Sequence, residues 1–139
     1  MPSYSEPSIP NKGDEFTEDT LYKRFGTQTM GGIRYTLKHN RVILMDSVFS
    51  YYKDRVDEKK GIVIYTGTGE DDQGFEGRSG KFNSKITDPN SILLYFQKPS
   101  PNTIIFKYNL KYLSHDFDEE ENRSGRKRKV IKFKLGIIG

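Results

Sequence analysis

The sequence predicts a mainly β, α+β domain: a small barrel or curled sheet of about six or more strands with one or two short flanking helices. Three observations predict it. Short runs of β-branched and aromatic residues recur along the chain. Several of them alternate apolar and polar positions with period two, and glycine-rich connections separate them. The 139 residues are one domain's worth of chain, and 33% hydrophobic residues suffice for one core rather than two.

Residues 1–12 carry Pro2, Pro7 and Pro10 among Ser and Asn, and read as a flexible arm ahead of a domain over 13–139. Thr17 is a helix N-cap, with Glu18 and Asp19 in the first turn and Lys23 and Arg24 in the last. Leu21 and Phe25 share a face, and Gly26 ends the helix. Ile33–Leu37 alternates, Lys38-His39-Asn40 turns, and Arg41–Met45 returns as the second arm of a hairpin. Val48–Tyr52 is aromatic and reads as extended chain or loop, while Gly61–Thr66 is the clearest β segment. Arg78–Ile86 reads as a short helix before Asp88-Pro89-Asn90. Strands follow at Ile92–Phe96, Thr103–Tyr108 and Val130–Leu135. Ser114–Lys129 is charge-segregated, acidic from Asp116 to Glu121 and basic from Arg123 to Lys129, and reads as a solvated, mobile hairpin loop.

Composition excludes several chemistries. Cysteine is absent, which removes disulfides, thiolate zinc sites and thiol catalysis, and two histidines leave little for a metal cluster; no cofactor is expected. The first ten residues lack a basic-then-apolar signal pattern and no run of 18 apolar residues occurs, so the expectation is a cytoplasmic protein with no membrane partner. A net charge of +4 suits a polyanion partner. The loop Gly67–Gly74 lacks the Gly-Lys-Ser/Thr of a nucleotide-binding P-loop.

The densest chemical signal runs from Tyr51 to Gly69, where aromatic residues flank an acid-rich turn and a strand ends in Tyr65-Thr66-Gly67-x-Gly69. An extruded nucleobase needs two flat faces, an acceptor for its exocyclic amine and basic groups for its phosphates. Tyr51 or Tyr52 with Tyr65 can supply the faces, and Asp54 or Asp57 the acceptor. Lys53, Arg55, Lys59 and Lys60 can meet phosphates, as can Arg34, Arg78, Lys81, Arg126, Lys127 and Arg128. Gln73 is a candidate to enter the duplex gap left by an extruded base. On spacing alone, a half-buried Tyr65 in an ordinary hairpin remains the competing reading.

Gly31-Gly-Ile-Arg-Tyr35, Tyr52-x-Asp54, Tyr65-Thr-Gly-x-Gly69, Asp72-Gln73, Asn83 and Arg128-Lys-Val-Ile-Lys-Phe-Lys-Leu135 together resemble the SRA (YDG) domain family over residues 13–136. The resemblance is greatest to the SRA-like modules of bacterial HNH-type, modification-dependent (type IV) restriction endonucleases. It implies a PUA-like curled β-barrel that recognises 5-methylcytosine or 5-hydroxymethylcytosine in double-stranded DNA by base flipping. It implies that Tyr65 stacks on one face of the base, Tyr52 or Tyr51 on the other, that Asp54 or Asp57 reads the cytosine edge, and that Thr66 and Gly67 border the pocket. It also implies a reader without a catalytic site of its own, joined to a nuclease domain or subunit outside these residues. Where the family's block commonly opens with Gly-Gly-Tyr, this chain has Phe49-Ser50-Tyr51-Tyr52. Two alternatives stand beside the reader: a PUA-like RNA-binding domain, and a Mg²⁺-dependent nuclease using Asp46, Glu58 and Lys60.

Overall fold

The computed structural model describes residues 7–29, 31–48 and 54–138. Its elements are β1 (Glu15–Phe16), α1 (Glu18–Phe25), β2 (Ile33–Tyr35), β3 (Arg41–Ser47), β4 (Arg55–Asp57), β5 (Ile62–Thr66), α2 (Gly77–Thr87), β6 (Ile92–Ser100), β7 (Thr103–Glu121) and β8 (Lys127–Ile137). The eight strands form one sheet in the order β2-β3-β6-β7-β8-β5-β4, with β1 added beside β7. Every pairing is antiparallel except β3 with β6. The mainly β class with two short helices agrees with the sequence reading. Among the described residues the barrel does not close: β2 and β4 end the ladder without pairing with each other.

Local chemistry sets the ends of α1 as the sequence implies. The Thr17 hydroxyl accepts from Thr20 N–H at 3.1 Å, and Thr20 Oγ1 accepts from Thr17 N–H at 2.8 Å, a reciprocal box. Gly26 ends the helix with φ +68°, a conformation that favours glycine.

The strands sort their side chains to two cores. On β3, Val42 and Leu44 enter the core that includes Tyr65, Tyr95, Tyr108 and Phe133 and is capped by Ile86 of α2. Ile43 and Met45 enter the opposite core with Leu94, Phe96, Phe106 and, from α1, Leu21 and Phe25. A strand covered on both faces has no polar face to show, which is why Arg41–Met45 and Ile92–Phe96 read as nearly unbroken apolar runs.

The charge-segregated segment is a correction. It is no mobile loop: β7 runs to Glu121 and β8 starts at Lys127, leaving a turn over 122–126. The antiparallel register sets Asp116 opposite Lys132, Glu119 opposite Lys129, and Glu121 opposite Lys127. Opposite charges facing across a ladder stabilise it. The two charged halves therefore zip onto each other.

Three tyrosine hydroxyls reach between elements that are not ladder neighbours, or brace those that are. Tyr65 of β5 donates to the Met45 carbonyl of β3 at 2.9 Å. Tyr108 of β7 donates to Glu58 in the β4–β5 turn, and Tyr95 of β6 donates to Asp46 of β3. The first two hold the β4–β5 hairpin over strands it does not pair with, and so curl the open sheet.

Candidate DNA-reading site

Asp54 stands at the end of the hairpin, immediately before β4. Its Oδ1 accepts from Thr66 N–H at 2.7 Å. Lys132 of β8 lies opposite Thr66 in the ladder, donates to Thr66 Oγ1 at 2.7 Å and pairs with Glu120 Oε2 at 2.5 Å. Asp46 adds a second carboxyl nearby, held by the Tyr95 hydroxyl. Burial pushes the Asp54 carboxyl up to about 7; the Thr66 N–H pulls it down, the Asp46 charge pushes it further up, and Lys132 opposes that. Burial and the bond to Asp46 likewise hold the Tyr95 phenol protonated, raising it far above its ordinary value. The result is a carboxyl whose proton is gained or lost near neutrality, fixed by a backbone bond beside a strand end. Such a group can accept from an amine when ionised and donate when neutral.

The strand-end turn is rigid because of two buried amides. Gln73, 3% exposed, donates to the carbonyls of Gly67 (2.8 Å) and Gly69 (3.1 Å), and its Oε1 accepts from Ile131 N–H at 2.9 Å. Asn83 of α2 accepts from Thr68 N–H at 2.8 Å and donates to Thr68 (3.1 Å) and Gly74 (2.8 Å). A Cβ at Gly67 would stand 2.9 Å from both amide oxygens, so the close approach requires glycine there.

These positions correct several sequence expectations. Gln73 cannot enter a duplex from this conformation, because its amide completes the edge of β8. Tyr65 does not project into a concavity: it is 3% exposed, and its ring meets Tyr95 edge-on at 6.4 Å in the core. Arg34 is not a surface cation. It is 3% exposed and bidentate to Glu18 (2.5 and 3.1 Å), which Lys98 also binds at 2.8 Å. Burial would raise the Glu18 carboxyl, but those two cations outweigh it and hold it below its ordinary value. Arg128 is 5% exposed and donates to the carbonyls of Glu120 (3.1 Å) and Glu121 (2.9 Å), bracing the β7–β8 hairpin. Arg126 is exposed but paired with Asp71, and Lys127 is exposed opposite Glu121.

Arg55, Arg78 and Lys81 are exposed as expected. Asp57 is exposed and caps its own turn by accepting from Lys60 N–H at 3.1 Å, so Asp54 is the aspartate placed beside Thr66. Tyr51, Tyr52 and Lys53 lie outside the described residues. Asp46 and Glu58 of the nuclease alternative each accept from a tyrosine hydroxyl, and among the described residues no group of three His, Asp or Glu is placed to hold a metal ion. Sequence reasoning missed Lys132 and Tyr95 as neighbours of Asp54. The alternation of Val130–Leu135 was the available signal for Lys132, since it sends Lys132 and Lys134 to one face.

Comparison with known proteins adds family and fold. The family model for the SRA domain of ScoMcrA-like proteins matches residues 12–139. No curated protein matches the sequence. Among solved structures, the chain is similar to the sulfur-binding and SRA domains of ScoMcrA complexed with phosphorothioated DNA, with TM-score 0.71 and 17% identity, covering 93% of this chain and 40% of that one. It is equally similar to the type IV phosphorothioation-dependent restriction endonuclease ScoMcrA, of which it spans 28%. It is also similar to the SUVH5 SRA domain in complex with hemi-methylated CG DNA, with TM-score 0.64 and 24% identity over 96% of this chain and 94% of that one. No helix among the described residues is long and apolar enough to cross a membrane.

Proposed function

The chain belongs to the ScoMcrA-like SRA domain family, and on that premise we propose that it is a DNA-binding module that recognises a modified cytosine by base flipping, as the specificity part of a restriction system. The cutting chemistry then resides in a nuclease domain or subunit other than these residues.

The observation that carries the reading is Asp54 fixed at Thr66 beside the Tyr-Thr-Gly-x-Gly turn. In the ionised form its carboxylate accepts from the exocyclic amine of cytosine, which thymine lacks. Tyr51 or Tyr52 supplies a stacking face, worth about 1–3 kcal/mol per base. Tyr65 serves by tying β5 to β3 through its hydroxyl, so that Asp54 and Thr66 keep their spacing. Gly67 lets the turn lie against Gln73 and Asn83. A C5 methyl adds only roughly 0.8 kcal/mol of burial, so discrimination against plain cytosine is moderate unless the pocket's shape penalises the unmodified base.

The test is a binding series on one duplex carrying a single C, 5-methyl-C, 5-hydroxymethyl-C, N6-methyl-A or phosphorothioate linkage, at fixed salt because phosphate-driven affinity varies steeply with ionic strength. The reading expects a modified cytosine to bind most tightly. A preference for N6-methyl-A or for the phosphorothioate would overturn the cytosine assignment, and displacement of the modified duplex by structured RNA in a parallel competition would favour the RNA-binding alternative.

A further inference from the structure

Away from Asp54, the β4–β5 hairpin and strands β6 to β8 enclose a concavity of about 910 Å³. Its lining includes five cations: Arg55, Lys59, Lys60, Lys107 and Lys134. Among the described residues none of the five is in an ion pair, whereas Lys23, Arg34, Lys98, Arg123, Arg126 and Lys132 all are. The two acids of the lining are both engaged internally. Glu58 accepts from the Tyr108 hydroxyl, and Asp57 accepts from Lys60 N–H at 3.1 Å. Burial and the Glu58 bond push the Tyr108 phenol up to about 12, so it stays protonated and keeps that bond across the neutral range. Lys12 brings a further ammonium to 5.0 Å from the Tyr108 ring centroid.

A concave wall lined by one sign of charge focuses the field and concentrates counter-ions. Here the lining carries five cations against two acids, an excess of positive charge. The surface also adjoins the reading site along the chain: Arg55 follows Asp54 directly, and Ile64 of the lining is two residues before Thr66.

We propose that this concavity is a phosphate-binding surface that takes the sugar–phosphate backbone of the same DNA whose base is read at Asp54. The proposal rests on the DNA-reading function above. Its interactions are sequence-independent: they position the duplex and add affinity without distinguishing a modified base from a plain one.

The test is the double variant Lys107→Gln/Lys134→Gln, titrated by fluorescence anisotropy with a modified and an unmodified duplex between 50 and 200 mM salt. Removing one lysine–phosphate interaction makes the slope of log K against log salt shallower by about 0.9. The pair therefore makes it shallower by about 1.8, and the affinity loss over that range becomes roughly twelvefold smaller. The change is expected to be equal for both duplexes. Lys23→Gln, which removes an exposed and already paired lysine of α1, leaves the slope unchanged. An unaltered slope in the double variant, with thermal melting like the wild type's, overturns the proposal, as does a change confined to the modified duplex. If the wild type binds both duplexes equally, base reading fails while a shifted slope still supports this surface.

Discussion

Replacing Asp54 by asparagine separates the energetic cost of this carboxyl from its use. The folded carboxyl titrates at about 7 against an ordinary value of 3.8, chiefly because it is buried. A raised carboxyl favours folding most when it is protonated in both states. Its contribution is therefore fully present below pH 3.8 and is lost as pH rises toward 7. Two-state linkage with those two values puts the loss between pH 5 and pH 8 at about 2.5 kcal/mol. Asparagine keeps a carbonyl oxygen to accept from Thr66 N–H and does not titrate. Urea unfolding of both proteins at pH 5 and pH 8 should show the variant gaining on the wild type by roughly that amount. Stabilities that run parallel between the two pH values would refute the reasoning. The same variant should bind modified DNA about 10- to 100-fold more weakly at pH 8, because its amide turns a donor toward a base amine that is itself a donor.

Other consequences follow from the geometry. Gln73→Ala strips acceptor and donor from Ile131 N–H and the Gly67 and Gly69 carbonyls; a loss of about 2–3 kcal/mol, with faster amide exchange at Ile131, is expected by hydrogen exchange. Tyr65→Phe removes the hydroxyl that donates to Met45 and should cost about 1 kcal/mol with the fold retained, whereas Tyr65→Ala empties a core site and should cost about 3–5 kcal/mol in denaturant unfolding. Glu18→Ala leaves the buried Arg34 guanidinium without its carboxylate and should destabilise by about 3 kcal/mol near pH 7. Because Glu18 is held below its ordinary value of 4.5, the stability it lends is present above that pH and fades as pH falls through its folded pKa, so the gap between variant and wild type should narrow in acid unfolding.

What the sequence made legible was what is decided locally. The ends of α1 depend on Thr17, Thr20 and Gly26 within a few residues of one another, and the β2–β3 hairpin on a short turn. What it hid depends on partners far along the chain. Ile62–Thr66 is apolar or aromatic at four successive positions, so period two alone cannot say which face is core; the curl of the sheet decides it, and Tyr65 goes inward with Val63. Gln73 sits in a glycine-rich acidic loop and reads as a residue that could enter a duplex, yet a backbone donor of β8, 58 residues away, needs its oxygen. The acidic and basic runs of 116–129 suggest a loop when read one at a time and a ladder only when set opposite each other. Arg34 and Arg128 read as phosphate ligands because charge is visible in a sequence and burial is not. Spacing leaves Asp54 and Asp57 as alternatives, and it takes the folded hairpin to set Asp54 against Thr66 N–H and Asp57 in its own turn.

The most direct measurement is the fluorescence of 2-aminopurine placed next to a single 5-methylcytosine in a duplex, recorded as protein is added. Extrusion of the modified base unstacks its neighbour. The account predicts a marked rise in emission that saturates with binding and that needs roughly fourfold more protein when plain cytosine replaces the modified base. Saturable binding with no change in emission would contradict it.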